Sequence, residues 1–393
     1  MKFRLLIRYD LMQIQQKKFN KTNGWTCLRG DDVPPEQVNL VFVFSSTGIL
    51  SDAGVFNSIQ KTYPNAYILL NSTAGEICDS QVEDETISLT AIRFESTVIK
   101  PFSTSIDNSS DSYSVGKRLA NGLDHNNLVY VLVISDGLKI NGSDLVSGLR
   151  DTLPEKVIIT GGLAGDGDRF QKTLVGLNEI PLEGRVVALG FYGRNLSVTY
   201  GSFGGWDPFG PERLITKAEA NVLFELDDQP ALDVYKKYLG EYAKDLPGSG
   251  LLFPLSISNE GDNNSLVRTI LSVNEEDKSL TFAGNMPLGS YARLMKANFE
   301  RLIEGASNAA HSSQGSDMES PELALLISCV GRKLVLGQRI EEEIEAIKEI
   351  YGNSTVLTGF YSYGEISPSG EFIKCELHNQ TMTITTLSER NAE

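Results

Sequence analysis

Residues 127–167 contain three runs in order: NLVYVLVIS (127–135), SDLVSGLRDTLP (143–154) and KVIITGGLAGDG (156–167). The outer two are almost unbroken aliphatic and β-branched stretches, the pattern of strands buried on both faces. The middle one is amphipathic, and Ser143 is placed to cap it as a helix. Strand, helix and strand in this order predict a βαβ unit with parallel strands. The unit closes on Leu163-Ala164-Gly165-Asp166, a turn of small residues, glycine and an acid.

The same order occurs twice more. NLVFVFSS (39–46) is followed by a helical stretch and by AYILLNSTAGEI (66–77). LALLISCVGR (323–332) is followed by QRIEEEIEAIKEIYG (338–352) and TVLTGFYSYGEI (355–366). In the last copy Ile340, Ile344, Ile347 and Ile350 recur at spacings of four and three, one apolar face of a 3.6-residue period. Three copies of one unit are the main organising feature of the chain.

The remaining strands read as antiparallel: TISLTAIRFE (86–95), RVVALGFYG (185–193), LVRTILSVN (266–274), SLTFAGN (279–285) and TMTITTL (381–387). They are rich in β-branched residues and bounded by Gly, Asp, Asn or Ser. NEEDKS (274–279) reads as a hairpin turn. Helices are expected from Pro230 to about Lys244, with Asp228 as a cap, and from about Ser290 to Ala310. Two stretches read as joints, the Gly/Pro-rich 203–221 and the small, polar 308–321. The fold expected is α/β with α+β admixture: repeated βαβ units with added antiparallel strands in two adjoining domains. Their bounds are 37–216 and 217–388, with an N-terminal extension 1–36 and a tail 389–393. Residues 1–11 are expected to be peripheral.

Lys and Arg number 35 against 51 Asp and Glu, a formal charge of −16. Such a surface repels phosphate backbones and anionic membranes, so neither nucleic acid nor a membrane surface is an expected partner. Cys27, Cys78, Cys329 and Cys375 are far apart with no C-x-x-C pair, which fits reduced structural thiols and a cytoplasmic setting. Arg8 and Asp10 interrupt the apolar run at the start, which excludes a signal peptide, and no run reaches the length of a transmembrane helix.

Ligands of βαβ sheets gather at the carboxyl ends of strands, where the three glycine–acid turns lie. Gly75 lets backbone approach a ligand, and Glu76, Asp166 and Glu365 can hold an ammonium group; equally, each glycine makes its turn and each acid faces water. GGLAGDG (161–167) is not a phosphate loop, because it lacks the G-x-x-x-x-G-K-[ST] spacing. Arg332 can clamp a carboxylate or pair with an acid such as Glu365. Arg332 and Glu365 each follow a strand of one copy, so a pocket centred on them is expected. Ser46, Ser72, Thr73 and Asn379 add neutral hydrogen-bonding groups. Cys329 has no histidine near it in sequence and Ser46 and Ser135 have no evident base, so no catalytic set emerges. His378 is the one histidine in a patterned context, as a metal or haem ligand or as a satisfied turn histidine. Trp25 and Trp206 stand beside glycine-rich turns as pocket walls or core plugs.

Taken together, the motifs resemble the FIST sensory family, a pair of adjoining domains at the input end of signalling proteins. VFVFSS, NSTAGEI, ISDG and GGLAGDG carry the N-terminal part of the resemblance. AGNMPLGSYARLM (283–295), ANFERLIEGASNAA (297–310), SCVGR, GFYSYGEI and the LHNQT run carry the C-terminal part. The resemblance covers about residues 37–388. It implies a small-molecule sensor with amino acids as candidate ligands; no cofactor is expected, because only His378 offers a patterned axial ligand. Its output would pass to a separate signalling protein, such as a histidine kinase or chemoreceptor. Some members resemble haem-dependent nitric-oxide sensors, which would engage His378. An uncharacterised enzyme is the remaining alternative.

Overall fold

A computed structural model describes residues 12–30, 32–259, 265–315, 320–369 and 374–390. Each copy forms its expected parallel pair: Leu40–Ser45 with Tyr67–Ser72, Leu128–Ser135 with Ile158–Leu163, and Leu323–Cys329 with Val356–Ser362. Each pair lies in its own six-stranded sheet. An antiparallel strand returns beside the first member of every pair: Ile87–Phe94, Arg185–Tyr192 and Met382–Glu389 respectively.

The copies are interlocked. After each parallel pair the chain leaves its own sheet through the glycine–acid turn and adds a strand to another copy's sheet. Glu76–Cys78 of the first copy pairs with Val356–Ser362 of the third. Val175–Leu177 of the second pairs with Tyr67–Ser72 of the first. Gly364–Ser369 of the third pairs with Ile158–Leu163 of the second. This exchange is cyclic, so the three sheets form the sides of a prism with pseudo-threefold order.

The inner faces of all three sheets meet in one core. Phe44 packs on Phe360 with ring centroids 5.0 Å apart, and Phe94 meets Phe191 at 6.0 Å. Thr90 Oγ1 donates to Thr358 Oγ1 at 2.8 Å, and Thr160 bridges Tyr130 and Thr385 at 2.7 Å each. Helices cover the outer faces. On the second sheet, helices Ser112–Asn121 and Gly142–Arg150 touch backbone to backbone: a Cβ on Gly116 would lie 2.2 Å from the Leu145 carbonyl oxygen. The cap of the second helix is Asn141, not Ser143, because its side chain receives the Ser143 and Asp144 N–H groups. Helices Phe299–Ser312 and Ile340–Tyr351 cover the third sheet, the latter burying Ile340, Ile344 and Ile347 as its spacing predicts.

Residues 206–297 form a second body between strand Leu196–Phe203 and helix Phe299–Ser312. It is an eight-stranded antiparallel sheet around Leu223, Leu232, Tyr235, Leu255 and Phe282. Three expectations change here. The presumed joint at 203–221 is mostly one strand, Trp206–Glu219, which runs through position 216 and tolerates Gly210-Pro211 at a break in its pairing with Tyr291–Ala297. Residues 291–297 are that partner strand, so the helix expected from Ser290 starts at Phe299, capped by Asn298. The helix after Pro230 ends at Leu239 and gives way to a 3-10 turn, and Asp228 makes no cap. Expectations for residues 1–11 fall outside the described residues. No helix of the described chain is long and apolar enough to cross a membrane.

Candidate functional site

The three glycine–acid turns meet at one end of the prism. Gly165 N–H donates to the Ser72 carbonyl at 3.0 Å, Ala74 N–H to that of Tyr361 at 2.8 Å, and Tyr363 N–H to that of Leu163 at 3.2 Å. Each copy thus bonds its turn to another copy's. Glycine is required where they touch: a Cβ on Gly165 would lie 2.8 Å from Ala74 N. Gly75 has φ +144°, and the Lys333 ammonium lies over it, donating to the Ala74 carbonyl at 2.9 Å and pairing with Asp84.

Two of the acids occupy matching environments. Glu76 is buried; its Oε1 accepts from Thr73 Oγ1 at 2.5 Å, and its Oε2 accepts from the N–H and hydroxyl of Thr86 at 3.0 and 2.9 Å. Glu365 repeats this with Ser362 at 2.5 Å and with the N–H and hydroxyl of Thr381 at 3.3 and 3.0 Å. Thr86 and Thr381 each stand immediately before the returning antiparallel strand. Burial pushes both acids up, Glu76 to about 7 and Glu365 to about 8, against the opposing pull of these hydrogen bonds.

The second copy solves the same problem differently. Asp166 turns to Thr47 at 2.7 Å and to the Arg169 guanidinium, which holds it below the usual carboxylate range despite its burial. Asp136 takes over the strand-return role, accepting from Gly184 N–H at 3.0 Å and from Thr173 Oγ1 at 2.8 Å. Sequence reasoning missed Asp136 because it stands one strand earlier than the acids it replaces; only the ISDG motif marked it.

Arg332 and Glu365 share no hydrogen bond. Arg332 is wholly buried, and its guanidinium is committed to Glu343 Oε2 at 2.7 Å and to the carbonyls of Leu302 at 2.6 Å and Gly204 at 2.9 Å. Tyr361 Oη donates to Glu343 Oε1 at 2.6 Å. Glu343 went unnoticed because it lies within EEE (341–343), which reads as a solvated helix face; the structure turns it inward. Arg332 therefore fastens helices to the third sheet, and the cleft expected around the Arg332–Glu365 pair is filled by these groups.

Ser72 Oγ donates to the Gly165 carbonyl at 2.7 Å and accepts Leu174 N–H at 2.9 Å. Ser46 Oγ, Ser135 Oγ and Asn71 Oδ1 are buried with no hydrogen-bond partner among the described residues. Ser46 stands directly after strand Leu40–Ser45 and Asn71 near the end of Tyr67–Ser72, so both lie at the carboxyl end of the first copy's parallel pair. The LHNQT run ties the two bodies together. Arg268 donates to the Leu377 carbonyl at 2.9 Å, Thr269 N–H to Asn379 at 3.3 Å, Gln380 Nε2 to the Leu251 carbonyl at 3.1 Å, and Trp206 Nε1 to the Gln380 carbonyl at 3.1 Å. Trp206 is thus a core plug, whereas Trp25 is half-exposed. His378 is buried, its Nε2 is 3.1 Å from the Ser367 carbonyl, and burial lowers it to about 4. That contact ties the imidazole to the neighbouring strand Gly364–Ser369.

The FIST N domain matches residues 39–229 and the FIST C domain residues 231–368. The chain belongs to the FIST family. Both FIST domains contribute strands to the prism, and the junction between their matches, at Gln229–Ala231, lies within the inserted body. The chain is similar to an uncharacterised protein of Methanocaldococcus jannaschii, 28% identical over 241 residues. The match covers 56% of this chain and 42% of that protein, so this FIST chain aligns with less than half of the relative's length. Among solved structures, a cyanuric acid hydrolase from A. caulinodans aligns over 98% of this chain and 100% of its own, at 8% identity and TM-score 0.37. A second cyanuric acid hydrolase aligns over 97% and 100%, at 10% identity and TM-score 0.33. Likenesses at this level support no statement about what this chain does.

Proposed function

We propose that this FIST chain is a small-molecule-binding sensory module whose ligand is amino-acid-like and whose occupancy is read by a separate signalling protein, such as a histidine kinase or chemoreceptor. The supporting observation is the pair of unpartnered polar atoms, Ser46 Oγ and Asn71 Oδ1, buried at the carboxyl end of the first copy's parallel pair, from which the turn bearing Thr73 and Glu76 leaves. Buried polar atoms in a purely structural turn are normally paired. Glu76, which burial raises to about 7, would be held ionised by a ligand ammonium group, and the free hydroxyl and amide oxygen offer further acceptors. Binding rather than catalysis suits the groups present. Burial drives the Cys329 thiol far above its ordinary range, and no base is bonded to Ser46 or Ser135.

The test is a thermal-shift screen of the full chain against the common amino acids and their decarboxylated amines. A ligand at 100 times its Kd stabilises by about 2.7 kcal/mol. Stabilisation by one of these compounds that is lost in Asn71→Leu and Glu76→Gln, with both variants still melting cooperatively, supports the reading. No stabilisation by any of them, or a shift indifferent to both substitutions, overturns it.

A further inference from the structure

The pseudo-threefold order exposes one place where the copies differ. In the second and third copies a helix precedes the first parallel strand, Ser112–Asn121 and Phe299–Ser312, and lies over the outer face of its sheet beside the copy's own crossover helix. In the first copy the corresponding stretch is the strand Gly24–Arg29 and the 3-10 turn Pro35–Gln37. Where the second helix would lie, between helix Ala53–Thr62 and strands Met12–Asn20 and Ile87–Phe94, the structure has a half-open cavity of about 330 Å³.

Its floor is apolar and buried: Leu89, Ile59 and the ring of Tyr63. Tyr63 is fixed there by its hydroxyl, which donates to Gln15 Oε1 at 2.5 Å. Trp25, half-exposed and braced by Phe19 at 5.4 Å between ring centroids, forms one wall, and Cys27 stands beside it. The one cation in the lining is Lys17, whose ammonium is 5.7 Å from the centre of the Tyr63 ring. Among the described residues no carboxylate pairs with Lys17, although the adjacent Lys18 pairs with Glu83 at 2.9 Å. An uncompensated ammonium in an apolar cavity is unusual in a chain of net charge −16.

We infer that this cavity is a second binding site, independent of the strand-end turns, for a small organic monoanion with a ring-sized apolar body, an arylalkyl carboxylate being the simplest member of the class. The volume lies at the lower end of small-molecule pockets, too small for the missing helix and sufficient for one ring with a short chain. The ring would lie between Trp25 and the Tyr63–Leu89 floor, and the carboxylate would meet Lys17.

Cys27 provides a readout, because it is exposed while Cys78, Cys329 and Cys375 are buried. The full chain is alkylated with a maleimide in the presence of 3-phenylpropanoate, 3-phenylpropanol or 3-phenylpropylamine, with Cys27→Ser identifying the fast phase. The carboxylate is expected to slow labelling of Cys27 in a saturable way and the alcohol and amine to do so at least about tenfold more weakly, the loss of one charge-assisted hydrogen bond. Lys17→Met should weaken protection by a similar factor, and Trp25→Ala should weaken it for the carboxylate as well, with the unliganded melting temperature held in at least one of the two. No protection by the carboxylate, equal protection by all three probes, or protection that survives both substitutions would overturn the inference.

Discussion

Arg332 and Glu343 form an ion pair at 2.7 Å in which neither side chain has any exposed surface. The pair joins the helix that follows strand Leu323–Cys329 to the crossover helix of the same copy, and the same guanidinium holds two carbonyls from the neighbouring segments.

Removing one partner would strand a buried charge. Arg332→Gln or Glu343→Gln is expected to cost about 3–5 kcal/mol in urea unfolding. Arg332→Met combined with Glu343→Leu should recover much of that loss. A single variant as stable as the parent would show that the pair is not sealed.

Glu365 carries a signed pH dependence. Its folded value, raised by burial to about 8, exceeds the unfolded carboxylate range near 4.5, so the native state holds a proton that the unfolded state has released. Its contribution to stability is complete below about pH 4.5 and declines as pH rises through about 8. Glu365→Gln cannot ionise, so its stability relative to the parent should rise from pH 5 to pH 8.5 by more than 1 kcal/mol in paired denaturation curves. A constant difference across that range would contradict the assignment.

Gly165→Ala would drive a methyl group into the backbone of Ala74 at the point where the turns meet. A loss of about 1–3 kcal/mol is expected, the usual cost of overpacking. Gly248→Ala, at an ordinary φ with open space around it, is a control for the added methyl group without a close approach. Equal losses in the two variants would mean that the close approach is relieved without cost.

The Asn379→Ala, Gln380→Ala double variant severs links between the prism and the inserted body. Hydrogen exchange at residues 248–253 and 268–270 should accelerate while the strands Leu40–Ser45 and Leu128–Ser135 keep their protection. Uniform acceleration across both bodies would refute a local junction.

The parallel pairs were legible because burial on both faces leaves an unbroken aliphatic run, and the crossover helix of the third copy because Ile340, Ile344 and Ile347 keep one period. The glycine–acid turns were legible as a repeat. Their cyclic exchange was not, since a three-residue strand such as Glu76–Cys78 carries no sign of which sheet it joins. Nor was the partner of Arg332. Glu343 is the last of three consecutive glutamates, and only the packing of its helix decides which of the three turns inward. Strand Tyr291–Ala297 was hidden because YARLMKA has good helix formers, and pairing with Trp206–Glu219 and Leu255–Ser258 overrides that preference.

The cyclic exchange also bears on the order in which a growing chain can fold. The sheet holding Leu128–Ser135 waits for Gly364–Ser369, which begins 364 − 163 = 201 residues after the end of Ile158–Leu163. Until then the edge of Ile158–Leu163 has its backbone donors and acceptors uncovered, an adhesive surface for other nascent chains. The strand Glu76–Cys78, made early, likewise has no sheet to join until Val356–Ser362 emerges. Synthesis of such a protein favours a holdase or slow commitment over folding copy by copy. Chains cut short after the second copy should be recovered in aggregates rather than as a soluble half.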